Sequence, residues 1–411
     1  MGLAMTRGES VLRFDENFKG PLAGKIVLDL SRLVAGNMVS LQLADYGAEV
    51  IKIEPAGKGD PLRQWMTDGV AVSWKVYARN KKSVSINLRR DAAREMLLAL
   101  VEPADVMIEN YRPGTLEDMG LGPDILHARN RKLILVRVSG FGQTGPYRHR
   151  PGFGTLVEAM SGFADRNGFA DREPVLPPLA MADMIAGLYG VMAVLIAIRE
   201  CEVKDGPGQV IDLSLLEPMY SALGAEAAWH QVTGRVRERV GSGSNTASPR
   251  NVYATADGKW LAMSGSMQSM AERIFRVIGR DDMNRDPRFR TNADRVENRV
   301  AVDAAVGGWI GTRTLDECMA IFDRENVTVA PVYNIEQIME DPHFRQREIN
   351  VALPDDELGE IQMHNIVPRL SNTPGGFTRP APTLGQHNAE ILARIGIGDT
   401  ELAALRDCGV I

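Results

Sequence analysis

The sequence predicts an α/β fold, with a doubly wound parallel sheet in the first half and a smaller α+β unit after it. Three observations carry this. Short β-rich runs alternate with amphipathic stretches from the start of the chain, the sign of parallel strands joined by crossover helices. A Gly/Ser-rich stretch from Gly241 to Pro249 cannot form a regular element and marks a change of composition. Beyond it, apolar runs flank Ala256-Asp257-Gly258, a hairpin signal.

In chain order, strands are expected at residues 25–30, 49–54, 83–88, 105–109 and 132–138, with helical stretches at 38–46 and 90–100. Three strand ends run into loops of special chemistry: Ser31-Arg32-Leu33-Val34-Ala35-Gly36, Asn110-Tyr111-Arg112-Pro113-Gly114, and Ser139-Gly140-Phe141-Gly142-Gln143-Thr144-Gly145-Pro146. Ligands of such sheets bind beyond the carboxyl ends of the strands, so these loops are expected to line one crevice. None is a GxGxxG or Walker loop, so nicotinamide, flavin and nucleoside triphosphate sites have no support. An apolar helix is expected at 184–197, a strand at 209–213, hairpin strands at 251–255 and 259–264, and helices near 271–278, 299–310 and 315–325. A strand at 350–353 and a helix near 388–395 close the chain.

The 411 residues are 44% hydrophobic, enough for a large core and more than one domain. With 47 Lys+Arg against 53 Asp+Glu and a net charge of -6, no global basic field exists for nucleic acid, so an anionic ligand must be met by local Arg and Lys. The three cysteines, Cys201, Cys318 and Cys408, lie far apart, which indicates neither a disulfide framework nor structural zinc and fits a reducing cytoplasm. No His, Asp or Glu spacing reads as a metal site. Residues 1–7 read as a short, loose extension without a secretory signal. The apolar run from Met184 to Ile198 falls short of the roughly 18 to 20 residues of a membrane span and reads as a buried core helix.

Asp183 is the most informative single residue. In Leu179-Ala180-Met181-Ala182-Asp183-Met184-Ile185-Ala186 a lone carboxylate stands at the head of a long uncharged run, and its charge must be met by a helix terminus or a ligand. It is a candidate covalent nucleophile. Taken alone, an aspartate there is more often an N-cap.

An ordered set of motifs resembles the class III (CaiB/BaiF) CoA-transferase family. It runs from Gly20-Pro21-Leu22-Ala23-Gly24 through Gly47-Ala48-Glu49-Val50-Ile51-Lys52-Ile53-Glu54, Asn80-Lys81-Lys82-Ser83, the 104–114 and 139–146 segments, and Arg150-Pro151-Gly152-Phe153. It continues through the Asp183 segment, Pro331-Val332, Asp341-Pro342 and Leu384-Gly385-Gln386-His387. The resemblance implies a large Rossmann-like CoA-binding domain at 1–215, a linker at 216–235, an inserted small α+β domain at 236–345, and a linker with a C-terminal return at 346–411. It implies two chains interlocked as a homodimer, with passages near 216–240 and 340–360 as crossing linkers. It implies that Asp183 attacks an acyl-CoA thioester, through an aspartyl anhydride and an aspartyl-CoA thioester, and that CoA or acyl-CoA is a substrate with no permanently bound cofactor. CoA contacts are implied at Val34, Ala35, Leu88, Arg89, Asn110, Tyr111 and Arg112, Arg89 and Arg112 being natural phosphate partners. The Gly241 to Pro249 loop falls where the family has a mobile loop over the site.

The chain departs from the family in places. Pro55 and Asp118 stand where some relatives have phosphate-binding arginines, leaving Arg63 as a substitute. Gly154 stands where some transferases have glutamate. Methylacyl-CoA racemases need a paired acid and base, and their histidine would fall at Phe153, so racemization is disfavoured. Arg148, Arg150 or Arg250 is a candidate for the distal carboxylate of a short dicarboxylic acid. A non-catalytic acyl-CoA-binding protein is the remaining class, and it would not need Asp183.

Overall fold

In the computed structural model, residues 12–411 are described; the extension expected at 1–7 lies outside them. They form two compact units, one taking in the chain up to Gly162 with Pro177–Gly224 and Glu348–Ile411, the other Phe163–Leu176 and Ala225–Arg347.

The first unit is built on six parallel strands: β1 (Ile26–Asp29), β2 (Glu49–Glu54), β3 (Lys81–Ser85), β4 (Val106–Glu109), β5 (Ile134–Ser139) and β6 (Val210–Ser214), in the order β3-β2-β1-β4-β5-β6. The order reverses between β1 and β4, which opens a crevice at their carboxyl ends. Strands β1, β2 and β4 are almost wholly buried, as expected where helices cover both faces. Helices Asn388–Ala393 and Asp399–Asp407 bring the chain end back to this sheet: Ile391, Leu392, Ile397 and Leu402 share a core with Leu28, Ile53 and Leu97. The Rossmann-like unit is therefore made from both ends of the chain, with the smaller unit inserted.

The long apolar helix runs Met181–Val203, 23 residues against the fourteen expected, and is long and apolar enough by composition to cross a membrane. It packs on the Ala35–Asp45 helix through two glycines. A Cβ on Gly187 would lie 2.6 Å from Met38 Cγ, and one on Gly190 2.7 Å from Val39 Cγ2, so only glycine allows this approach. Ala182, Ala186, Val194 and Ala197 are buried, while Leu188, Met192 and Ile196 on the other side are more than half exposed. Asp183 is the third residue of this helix; the cap position belongs to Ala180, whose side chain offers nothing.

The second unit holds an antiparallel sheet of β7 (Arg250–Ala254), β8 (Trp260–Ser264) and β9 (Val329–Pro331) in that order. The expected hairpin is present, with Thr255 N–H donating to the Lys259 carbonyl at 3.0 Å and Gly258 at φ +74°. Helices Gln268–Val277, Arg299–Ile310 and Leu315–Arg324 supply Ile274, Phe275, Val306, Ile310 and Phe322 to a core with Tyr253 and Leu261. The passages expected as linkers carry structure of their own. Helices Leu216–Ser221 and Glu226–Thr233 occupy the first, and the second holds helix Pro342–Gln346 and a hairpin of β10 (Asn350–Asp355) and β11 (Gly359–His364). Val351, Leu353, Ile361 and Met363 alternate along that hairpin to give one apolar face, packed with Ile366 and Phe377.

Candidate active site

A cavity of about 340 Å³ opens at the sheet's switch point, and all three loops singled out from the sequence reach it. Arg32, Leu33 and Ala35 come from the end of β1, Asn110, Tyr111, Arg112 and Pro113 from β4, and Ser139 and Gly140 from β5. Arg148, Arg150 and Phe153 close one side, and Asp183 stands in the wall. Gly140 and Gly152 meet backbone to backbone; a Cβ on Gly140 would be 2.6 Å from Gly152 Cα.

Asp183 is held from three sides. The Gly187 and Gly190 contacts set its helix against the Ala35–Asp45 helix, whose first residue, Ala35, lines the same cavity with its N–H on the side that favours the carboxylate's charge. Gly154, first residue of the Gly154–Met160 helix, lies so near that a Cβ there would be 2.3 Å from Asp183 Oδ2. From the same short helix the buried Glu158 accepts the Ala182 N–H at 3.0 Å, and so caps the long helix in place of Ala180. Burial pushes the Asp183 carboxyl up to about 6, with Ala35 N–H pulling it down and the Glu158 charge adding to the rise. The Tyr77 phenol is close as well: burial, then the charge of Asp183, hold its proton on, and its hydroxyl lies 3.7 Å from Met184 Sδ.

Four guanidiniums, those of Arg32, Arg112, Arg148 and Arg150, line the cavity. Among the described residues none of them pairs with a carboxylate. Arg150 stacks 3.8 Å from the Tyr147 ring centroid, Arg32 lies 5.5 Å from that of Tyr111, and Arg148 Nε donates to His149 Nε2 at 2.8 Å. Unpaired guanidiniums around one cavity make it a place for anions. Arg63 is different: it forms a two-pronged pair with Glu54 (2.7 and 2.8 Å) and lies 3.8 Å from the Trp74 centroid, so it is committed within the fold and does not substitute for the missing phosphate ligands.

Of the expected contact residues, Ala35, Asn110, Tyr111 and Arg112 line this cavity with Asp183, and Val34, Leu88 and Arg89 do not. Val34 and Leu88 are buried with the core, and Arg89 is exposed in the turn between β3 and the Asp91–Val101 helix. The Asn110 side chain is spent on the fold: its Oδ1 accepts Arg32 N–H at 2.9 Å and its Nδ2 donates to the Arg32 carbonyl at 2.7 Å, locking the β1 and β4 loops together. Arg250, on β7 of the second unit, donates to the Gly243 carbonyl at 2.7 Å. Sequence reading missed Arg32, Glu158 and Tyr77 as individuals. Only the position of Arg32 at a strand end carried a signal. Leu33 is also unusual, at φ 63°, a left-handed conformation that costs a branched residue about 1–2 kcal/mol.

Comparison with known proteins agrees with this geometry. Residues 22–388 match the family described as CoA-transferase family III. The chain is 40% identical over 395 residues to a succinyl-CoA–D-citramalate CoA-transferase of Chloroflexus aurantiacus, covering 95% of this chain and 98% of that one. It is 33% identical to a succinate–glutarate CoA-transferase of Agrobacterium fabrum, covering 92% of this chain and 96% of that one. Among solved structures, a CaiB/BaiF family protein from Brucella suis superposes with a TM-score of 0.80 at 30% identity, over 92% of this chain and all of that one. With the family matched across nearly its whole length and relatives of this similarity, the chain belongs to CoA-transferase family III and is a CoA-transferase.

Proposed function

We propose that this enzyme exchanges CoA between an acyl-CoA of the succinyl class and a second short dicarboxylic acid, with Asp183 as the covalent nucleophile. The observation that carries the reading is one carboxylate, raised to about 6, standing in the wall of a cavity with four guanidiniums that have no carboxylate partner among the described residues. The substrates named for the relatives, succinyl-CoA with citramalate or succinate with glutarate, belong to the same class.

The chemistry needs no proton carrier. Asp183 Oδ attacks the thioester carbonyl, the C–S bond breaks, and CoA leaves as thiolate with an acyl-aspartyl anhydride behind it. The thiolate then attacks Asp183 Cγ, expelling the donor acid and leaving an aspartyl-CoA thioester. The acceptor carboxylate attacks that thioester, releasing the thiolate and forming a second anhydride. Attack of the thiolate on the acceptor's carbonyl yields the new acyl-CoA and frees the Asp183 carboxylate. Bonds made equal bonds broken, and no proton is consumed, which suits a wall with Phe153 in it and Gly154 against Asp183 where a base would otherwise stand. A racemase would need a second proton carrier on the far side of the α-carbon, and Phe153 is none. The Ala35 N–H and the N–H of Asp183 itself favour negative charge on the carboxylate.

The reading is tested by incubation with succinyl-CoA and hydroxylamine or borohydride. The expected product is a mass change on the peptide carrying Asp183; its absence sinks the covalent route. Arg112 and Arg32 flank Tyr111 on the CoA side in this reading, while Arg148 and Arg150 share a loop with Gly154 and meet the distal carboxylate. Arg150→Gln is expected to raise KM for a four-carbon dicarboxylic acceptor about 10- to 100-fold, the worth of one charged hydrogen bond, and to change KM for the matching monocarboxylic acid only slightly. Equal effects on both acids would remove the distal-carboxylate role. The assembly belongs to the same proposal: two chains interlock as a homodimer in the cytoplasm. The exposed apolar side of the Met181–Val203 helix supports association, and a dimer mass by light scattering is expected.

A further inference from the structure

Ser31, Arg32 and Leu33 connect β1 to the Ala35–Asp45 helix, and all six of their main-chain polar groups are taken by side chains. Ser31 N–H donates to Asp29 Oδ1 at 2.9 Å, and its carbonyl accepts from Lys52 Nζ. Arg32 is held at both groups by the Asn110 amide. Leu33 N–H donates to Asp60 Oδ1 at 3.0 Å, and its carbonyl accepts from Asn37 Nδ2 at 2.6 Å.

Behind this turn lie two lysines and two aspartates, none more than 1% exposed. Lys52 Nζ is 3.2 Å from both Asp29 Oδ1 and Asp60 Oδ2. Lys81 Nζ is 3.3 Å from Asp29 Oδ2, 2.9 Å from Asn37 Oδ1 and 2.7 Å from Ser40 Oγ. Asn37 Nδ2 also donates to Asp60 Oδ2 at 2.8 Å. The charges balance, and in parallel register Lys52 stands directly beside Asp29. Ionic groups are costly to bury, and when all are satisfied they admit one arrangement where an apolar core admits several. Leu33, bonded to Asp60 and Asn37 of this arrangement, stands at φ 63°.

We propose that Asp29, Lys52, Asp60 and Lys81, acting through Asn37, form a positioning frame for the transfer reaction, holding the Leu33 turn left-handed so that the Ala35 N–H stays aimed at Asp183. The inference rests on the reading of Asp183 as nucleophile. Without the frame Leu33 relaxes toward negative φ, and the first turn of the following helix rotates with it. The titratable groups that act on Asp183 are Glu158 from the Gly154–Met160 helix and Tyr77 from the Val72–Tyr77 helix, neither of which the frame touches.

The test uses the full chain with Asp60→Asn and, separately, Asn37→Ala, which removes no charge and carries the test if Asp60→Asn fails to fold. Adduct formation on Asp183 is timed in a single turnover with succinyl-CoA, together with KM and the acid limb of kcat/KM. Expected is an adduct on the same residue formed roughly 10- to 100-fold more slowly, with KM for the acyl-CoA within about threefold. The acid limb is expected to move upward, because a misaimed N–H no longer favours the carboxylate. Adding Leu33→Gly to Asn37→Ala is expected to recover part of the rate, since glycine adopts positive φ freely. A purely structural frame would lower Tm and leave the adduct rate and the limb unmoved; that result overturns the inference alone. No adduct on the wild-type chain overturns the nucleophile and the frame's role with it.

Discussion

Asp183→Asn is expected to lower kcat for CoA transfer by about 10⁴-fold or more, the scale on which loss of a covalent nucleophile acts. The amide nearly preserves the shape of the carboxylate but cannot form the anhydride, so CoA affinity by calorimetry should hardly change. The same substitution is expected to stabilise the fold. Burial places the folded carboxyl at about 6 against an ordinary 3.8, so the folded chain keeps this proton to higher pH than the unfolded chain does. The stability tied to the protonated form is complete below about pH 4 and lost as pH rises through about 6. At roughly 1.36 kcal/mol per unit, the ionised carboxylate then costs up to about 3 kcal/mol above pH 7, which the amide avoids. Thermal melts of both proteins at pH 8 and pH 4 check this: the variant should gain only at pH 8. Transfer that survives the substitution would end the covalent mechanism. An equal gain at both pH values would instead mean that the charge is not what burial opposes.

Much of this site was legible in the sequence, for identifiable reasons. Residues 49–54 read as a strand because Val50, Ile51 and Ile53 crowd together between polar ends, and β2 occupies those residues. Asp183 stood out because a single charge heads a long uncharged run. The start of its helix was less legible. Ala180 cannot cap, and the acceptor that replaces it, Glu158, comes from a different helix, so no local pattern announces the first turn. Lys52 and Lys81 look in the sequence like the polar half of strand alternation, the usual sign of a solvated face. Their burial depends on Asp29, which is 23 residues from Lys52 and 52 from Lys81, and only the parallel register of β1, β2 and β3 brings the three together. Arg63 shows the opposite error: an arginine after Gly59-Asp60-Pro61-Leu62 looked free, and Glu54 had already claimed it. Local pattern reveals which residues are odd; the partners that resolve the oddity lie across the sheet.

Gly154→Ala is expected to lower kcat about 100-fold while leaving the fold intact. The added Cβ would fall 2.3 Å from Asp183 Oδ2 and 3.5 Å from its Cγ, with Ala182 Cβ next at an ordinary 3.8 Å. Something must move, and the freest atom is the carboxylate oxygen at the end of a rotatable side chain. The backbone itself has no objection: Gly154 is not at positive φ and begins a helix, where alanine is favoured over glycine by up to about 1 kcal/mol. The burden therefore falls on the aim of the nucleophile. A displacement of about 1 Å in a reacting group costs on the order of 100-fold, and the carboxylate would also turn from the Ala35 N–H. Steady-state kinetics and a melt separate the outcomes: kcat should fall with KM for acyl-CoA nearly constant and Tm unchanged or raised. A methyl at Gly140 would meet the Gly152 backbone at 2.6 Å, which cannot rotate away, so damage there would appear in the melt first. If Gly154→Ala keeps wild-type kcat, the carboxylate orientation against Gly154 is not the one that attacks, and Asp183 must swing to another rotamer before the thioester reacts.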